Sequence, residues 1–140
     1  MTPSDPQRLV DLINDLVGHE EASWLEFKLN NADAEMVGIR ISAISNAARL
    51  AGQQTGFMVW GIDDVTHSVV GTTFNPDTQR VGNQVLSLWL AQQLMPSIAF
   101  NFQTIQHPAG RLVLLEIPAA TAAPVAFRNI AYIRIGSATP

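Results

Sequence analysis

Phe57-Met58-Val59-Trp60-Gly61-Ile62 is the stretch on which the fold turns. It is a continuous apolar run with no polar residue on either face, as expected of a strand buried on both sides. This places it at the centre of a sheet. Asp63-Asp64 opens a turn after it, and residues 67–71 read as a returning strand. Before it lies a loop, Gly52-Gln53-Gln54-Thr55-Gly56.

Two helices are expected upstream. Leu9, Val10, Leu12, Ile13, Leu16 and Val17 form an apolar face, with Ser4 or Asp5 as cap, Pro6 in the first turn and Gly18 as stop. Residues 34–50 form the second, with Met36, Ile39, Ala43, Ala47 and Leu50 near helical spacing, after the turn Asn30-Asn31-Ala32-Asp33. Between them, residues 24–29 read as a short strand. Its alternation puts Trp24, Glu26 and Lys28 on one side and Leu25, Phe27 and Leu29 on the other. A third helix is expected over 78–94, stopped at Met95-Pro96. The last third reads as all β: 98–106, a turn at His107-Pro108-Ala109-Gly110, then 111–117 and 132–135. The expected fold class is α/β (α+β), a single domain over residues 1–140 with a mixed β-sheet packed against two or three helices.

Composition agrees. At 140 residues, 47% hydrophobic and 14% charged, the chain has ample material for one core and too little charge for disorder. It has no cysteine, which excludes disulfides, thiolate metal sites and a cysteine nucleophile. Met1-Thr2-Pro3-Ser4-Asp5-Pro6 lacks the basic and apolar regions of a secretion signal, and no apolar run reaches membrane-spanning length. A cytoplasmic location without membrane contact is expected. The chain stops four residues after Gly136 with no closing helix, so an N-terminal fragment with a further C-terminal domain is expected. The net charge of −4 counts against strong nucleic-acid binding. Its eight basic residues are Arg8, Lys28, Arg40, Arg49, Arg80, Arg111, Arg128 and Arg134.

Three clusters carry candidate chemistry. The first is Glu20-Glu21 with Glu26-Phe27-Lys28, where the strand puts Glu26 and Lys28 on one face and Glu21 can fold back towards Glu26. The second is Asp63-Asp64, at the end of the most buried strand, where ligands of α/β sheets commonly sit. Converging carboxylates repel unless a cation or shared proton lies between them, and oxygen-only ligands suit Mg or Mn. Ordinary turn and edge charges explain the same residues without chemistry. The third cluster is Ser42-Ala43-Ile44-Ser45-Asn46 with Arg49, running into Gly52 and Gly56. Those glycines follow a helix instead of preceding one, the wrong end for cradling phosphate. Asn46 there reads as a cap. No P-loop or nucleophile elbow exists, and His19, His67 and His107 lack metal spacing. Trp24, Trp60, Trp89 and Tyr132 are able to stack on bases, although Trp60 and Trp89 suit a core better.

In chain order, Glu21, Glu26-Phe27-Lys28, Ser42-Ala43-Ile44-Ser45-Asn46, Gly61-Ile62-Asp63-Asp64, Val69-Val70-Gly71 and Tyr132-Ile133-Arg134-Ile135-Gly136-Ser137 form a set. Over residues 20–137 it resembles the Schlafen-type, AlbA-like domain family, once catalogued as a divergent AAA ATPase domain. The resemblance implies an AlbA-like α/β fold and a nucleic-acid-binding (DNA or RNA) regulatory domain of a bacterial transcriptional-regulator-like protein. Lys28, Asn46, Arg49 and Arg134 are the implied contacts. In animal Schlafen proteins the related domain cuts transfer and ribosomal RNA with three acidic residues. By that likeness Glu21, Glu26 and Asp64 are catalytic candidates, and Glu21, Glu26, Asp63 and Asp64 are metal candidates for Mg or Mn. The chain departs from the family over residues 46–56, a longer loop than the usual Asn-Thr-x-Gly-Gly. A metal-dependent RNA endonuclease is the alternative reading. Nucleotide (ATP) binding and a homodimerisation domain follow it.

Overall fold

Val59 sits at the centre of a four-stranded sheet in the computed structural model, which describes residues 6–136. Its strand, β2 (Thr55–Trp60), lies between β1 (Leu25–Lys28) and β7 (Gly110–Pro118), and β6 (Asn101–His107) closes the far border. β1 runs parallel to β2, whereas β2–β7 and β7–β6 are antiparallel, so the sheet is mixed. The apolar run is interior, as its composition demands. The remaining described elements are helices α1 (Pro6–Val17), α2 (Ala34–Leu50) and α3 (Leu86–Gln93), and the short strands β3 (Arg80–Val81), β4 (Gln84–Val85), β5 (Leu94–Met95), β8 (Ala126–Phe127) and β9 (Ile130–Ala131). Three helices on a mixed sheet make an α+β fold.

Strand alternation splits the core into two layers. On one face, Leu25, Phe27, Val59, Leu112 and Leu114 meet Leu9, Ile13 and Leu16 of α1. On the other, Met58, Trp60, Val113 and Leu115 meet Val37, Ile41 and Ile44 of α2 and Leu86 and Leu90 of α3. Each such side chain contributes roughly 1.5–3 kcal/mol on burial. Trp60 is fully buried, and its indole N–H donates to Asn31 O at 2.8 Å. Its role is packing. α2 keeps the expected bounds because Asp33 accepts a hydrogen bond from Met36 N at 3.1 Å as a side-chain cap. The caps expected for α1, Ser4 and Asp5, lie outside the described residues.

Three elements differ from expectation. The third helix covers only Leu86–Gln93, because Gly82-Asn83 turns the chain into the β3–β4 hairpin first. Gly82 has φ +61°, the left-handed geometry that a two-residue hairpin turn needs. Residues 67–71 make a single bridge, Ile62 to Val69, instead of a strand. Gly61 O accepts from both Val70 N and Gly71 N, and His67 has φ +59°, which breaks any extended ladder. Finally, residues 132–134 carry no ladder, because side chains of α2 take the place of a partner strand.

Candidate functional site

Leu25 and Phe27 point into the α1 layer, so Glu26 and Lys28 face α2. Glu26 is 5% exposed, and a buried carboxylate is tolerable only with compensating charge. Three cations supply it. Arg40 Nε lies 3.0 Å from Oε1, Arg134 Nη1 lies 3.1 Å from Oε1, and Lys28 Nζ lies 3.3 Å from Oε2. Arg134 arrives from the far end of the chain. Its guanidinium is wholly buried, and burial pulls its pKa below the ordinary value. The negative charges of Glu26 and then Glu21 oppose that shift, while Arg40 adds to it. Lys28 and Arg40 stand at the rim, with side chains 28% and 25% exposed. Counting Glu21, the cluster sets three positive charges against two negative ones. Sequence reading did not single out Arg40. The signal was there, since Arg40 is the lone charge in the apolar stretch of α2 between Met36 and Ala48.

Of the expected carboxylates, Glu21 lies beside the Glu26 cluster, near enough to act on the charge of Arg134, while Asp63 and Asp64 stand in a turn of their own. Glu21 Oε1 accepts from Phe27 N at 2.8 Å and so fixes the bend before β1. Asp63 Oδ1 accepts from Val65 N and Thr66 N, both at 2.9 Å, in a tight turn. Those backbone donors, Thr66 first, hold its carboxyl below the ordinary value. Asp64 is exposed beside it. Among the described residues no three of His, Cys, Asp or Glu group to hold a metal ion. The catalytic trio Glu21, Glu26 and Asp64 therefore does not assemble, and neither does the Mg or Mn set with Asp63. Glu26 already spends its charge on Lys28, Arg40 and Arg134, so the residues present do not fit a divalent cation.

The Ser42-to-Asn46 motif is a clamp. Ser42 Oγ donates to Val125 O at 2.7 Å and accepts from Tyr132 N at 2.9 Å. Four residues on, one helical turn, Asn46 Nδ2 donates to Val125 O and Tyr132 O at 2.9 and 2.8 Å. Asn46 Oδ1 accepts from Val125 N at 2.7 Å. Ser45 Oγ donates to Pro118 O at 2.7 Å. Asn46 is thus a mid-helix anchor and not the expected cap, which is Ala51, and its amide bonds the backbone of the C-terminal segment. Arg134, another expected contact, lies buried against Glu26. Lys28 and Arg134 share one carboxylate, whereas Arg49 stands apart in the last turn of α2. Arg49 Nη1 donates to Ala120 O and Thr121 O. Beside it opens a groove of about 380 Å³ lined by Leu50, Pro124, Tyr132 and Ile133.

Comparison with known proteins places this geometry in a family. The Schlafen, AlbA_2 family profile matches residues 21–139, from Glu21 beyond Arg134. No curated protein matches the chain. The DIP2311 protein of Corynebacterium diphtheriae has the same fold at TM-score 0.56 and 15% identity. That likeness covers 96% of this chain, which spans only 26% of that protein. The N-terminal domain of a RecG-related protein of Nitrosomonas europaea, tied by its name to ATP-dependent DNA helicases, aligns at TM-score 0.53 and 23% identity. It covers 92% of this chain and 89% of its own. With a profile match over most of its length, the chain belongs to the Schlafen, AlbA_2 family.

Proposed function

We propose that this domain binds the phosphate backbone of a nucleic acid through Lys28 and Arg40. The observation that carries the reading is the charge excess at Glu26, where three cations gather on one carboxylate and two of them reach the surface. Arg40 meets Glu26 through Nε, which leaves its Nη groups to donate to an incoming oxygen. Family membership supports the reading, as does the helicase name of the Nitrosomonas relative. The quarter-length match to the Corynebacterium protein fits a module that serves a larger protein. Phosphate contacts of this kind position a ligand without reading its sequence.

Fluorescence anisotropy with labelled tRNA, single-stranded DNA and duplex DNA, across a salt series with chelator or Mn²⁺ present, tests the reading. Two contacted phosphates predict a shallow slope of log affinity against log salt, about −2 on duplex DNA. Lys28→Gln and Arg40→Gln should each weaken binding several-fold on every sequence, with no requirement for Mn²⁺. If both variants bind as the natural protein does, or if it binds none of the three, the assignment is wrong.

A further inference from the structure

Two strands border the four-stranded sheet, and only one of them is guarded. β1 is four residues long and carries Glu26 and Lys28 in an ion cluster, a short charged border that resists further pairing. β6 is the opposite case. It runs seven residues, Asn101-Phe102-Gln103-Thr104-Ile105-Gln106-His107, and contains no Lys, Arg, Asp, Glu, Pro or Gly. Every one of its residues is in register with β7, so no bulge twists it away. No backbone hydrogen bond joins its outer side to any other described segment. Ile105 is buried against α1, while Asn101, Thr104 and Gln106 are exposed.

The geometry points to β6 as a homodimerisation edge, on which a second copy of this chain pairs antiparallel about a twofold axis at Thr104. That register sets Phe102 opposite Gln106, Gln103 opposite Ile105 and Asn101 opposite His107 of the other copy. A twofold contact must be self-complementary, and an uncharged strand meets itself without like charges opposing. The point matters on a chain of net charge −4, whose copies carry like charge as they approach. Two four-stranded sheets would become one of eight strands, with the Glu26 clusters at its outer borders, about 34 Å apart across the sheet. A seven-residue edge buries less than the roughly 1,200 Å² of a standard interface, so the dimer is weak and concentration-dependent.

Sedimentation velocity on the 140-residue chain, from about 1 µM to about 1 mM, reads the outcome directly. Thr104→Lys sets two ammonium groups face to face at the axis, at an exposed position that leaves the core intact. Val65→Lys, on a loop residue 85% exposed, is the control for added charge. The natural chain and Val65→Lys should rise with concentration towards twice the monomer mass of 15.2 kDa, while Thr104→Lys stays at it. Amide exchange in β6 should slow as concentration rises. A natural chain that stays monomeric throughout, as an edge meant for a foreign strand would leave it, overturns the proposal. So does a Thr104→Lys variant that associates as strongly as the natural chain.

Discussion

Asn46 and Val125, 79 positions apart in the chain, pair as two strand residues would: Asn46 Nδ2 donates to Val125 O at 2.9 Å, and Asn46 Oδ1 accepts from Val125 N at 2.7 Å. A side chain of α2 thus does the work of a β-ladder. Asn46→Leu would strand Val125 N and Tyr132 O, each costing about 1–3 kcal/mol when left unpaired, while Val125 O keeps its bond from Ser42 Oγ. Urea unfolding should show a loss of at least about 2 kcal/mol. Asn46→Asp should not rescue, since it faces two carbonyl oxygens with a carboxylate. An Asp variant of natural stability would contradict the clamp.

Glu26→Gln leaves Lys28, Arg40 and buried Arg134 without their shared counter-charge. Breaking a buried ion pair from one side costs about 3–5 kcal/mol, and nearby Glu21 puts this case at the lower end. Arg134→Met alone should cost less, because Glu26 keeps two cations. The double variant should lose less than the two single losses combined, a coupling measurable in a double-mutant cycle. Simple additivity would mean that the two side chains do not feel each other.

Asp63 sets an acid limit on its turn. Its carboxyl is held below the ordinary 3.8 by the N–H groups of Thr66 and Val65. A depressed carboxyl pKa contributes stability above the unfolded value, and that contribution is lost as pH falls through the folded value. Asp63→Asn keeps the turn's acceptor without the titration. Its stability should therefore fall less than that of the natural protein once pH drops below 3.8. Urea midpoints measured down the acid limb check this, and parallel curves would refute it.

Gly38 is where Phe127 lies on α2. A Cβ there would stand 2.1 Å from Cε1 of the Phe127 ring, which is itself only 2% exposed and has nowhere to retreat. Gly38→Ala gains up to about 1 kcal/mol of helix propensity. It should still lose about 1–3 kcal/mol overall through overpacking. Thermal unfolding decides the sign, and a raised midpoint would show that the ring moves freely.

Much of this fold was legible because its signals are local. The run from Phe57 to Ile62 announced a buried strand from its own composition, and Asp33 with the apolar spacing after it fixed where α2 begins. Gly82-Asn83 was equally local, yet the apolar residues after it masked the turn and lengthened the expected helix. The site was harder to read, because its partners are far apart. Glu26 looked like a metal ligand while only Lys28 was in view. Arg40, 14 positions on, and Arg134 reach the same carboxylate only once α2 and the C-terminal segment pack. Asn46 looked like a cap for the same reason, since its true partners lie 79 and 86 positions downstream.

Those long separations bear on how the chain is made. Closing a loop of some eighty residues costs conformational entropy before any bond rewards it, so the clamp forms late in folding. During synthesis, α2 emerges with Ser42 and Asn46 lacking their partners, and Glu26 has only Lys28 and Arg40. Neither deficit is made good until Tyr132 and Arg134 have left the ribosome. The nascent domain therefore stays open along α2 until the segment carrying Tyr132 and Arg134 has emerged, and any early stop before Tyr132 would leave that seam open for good.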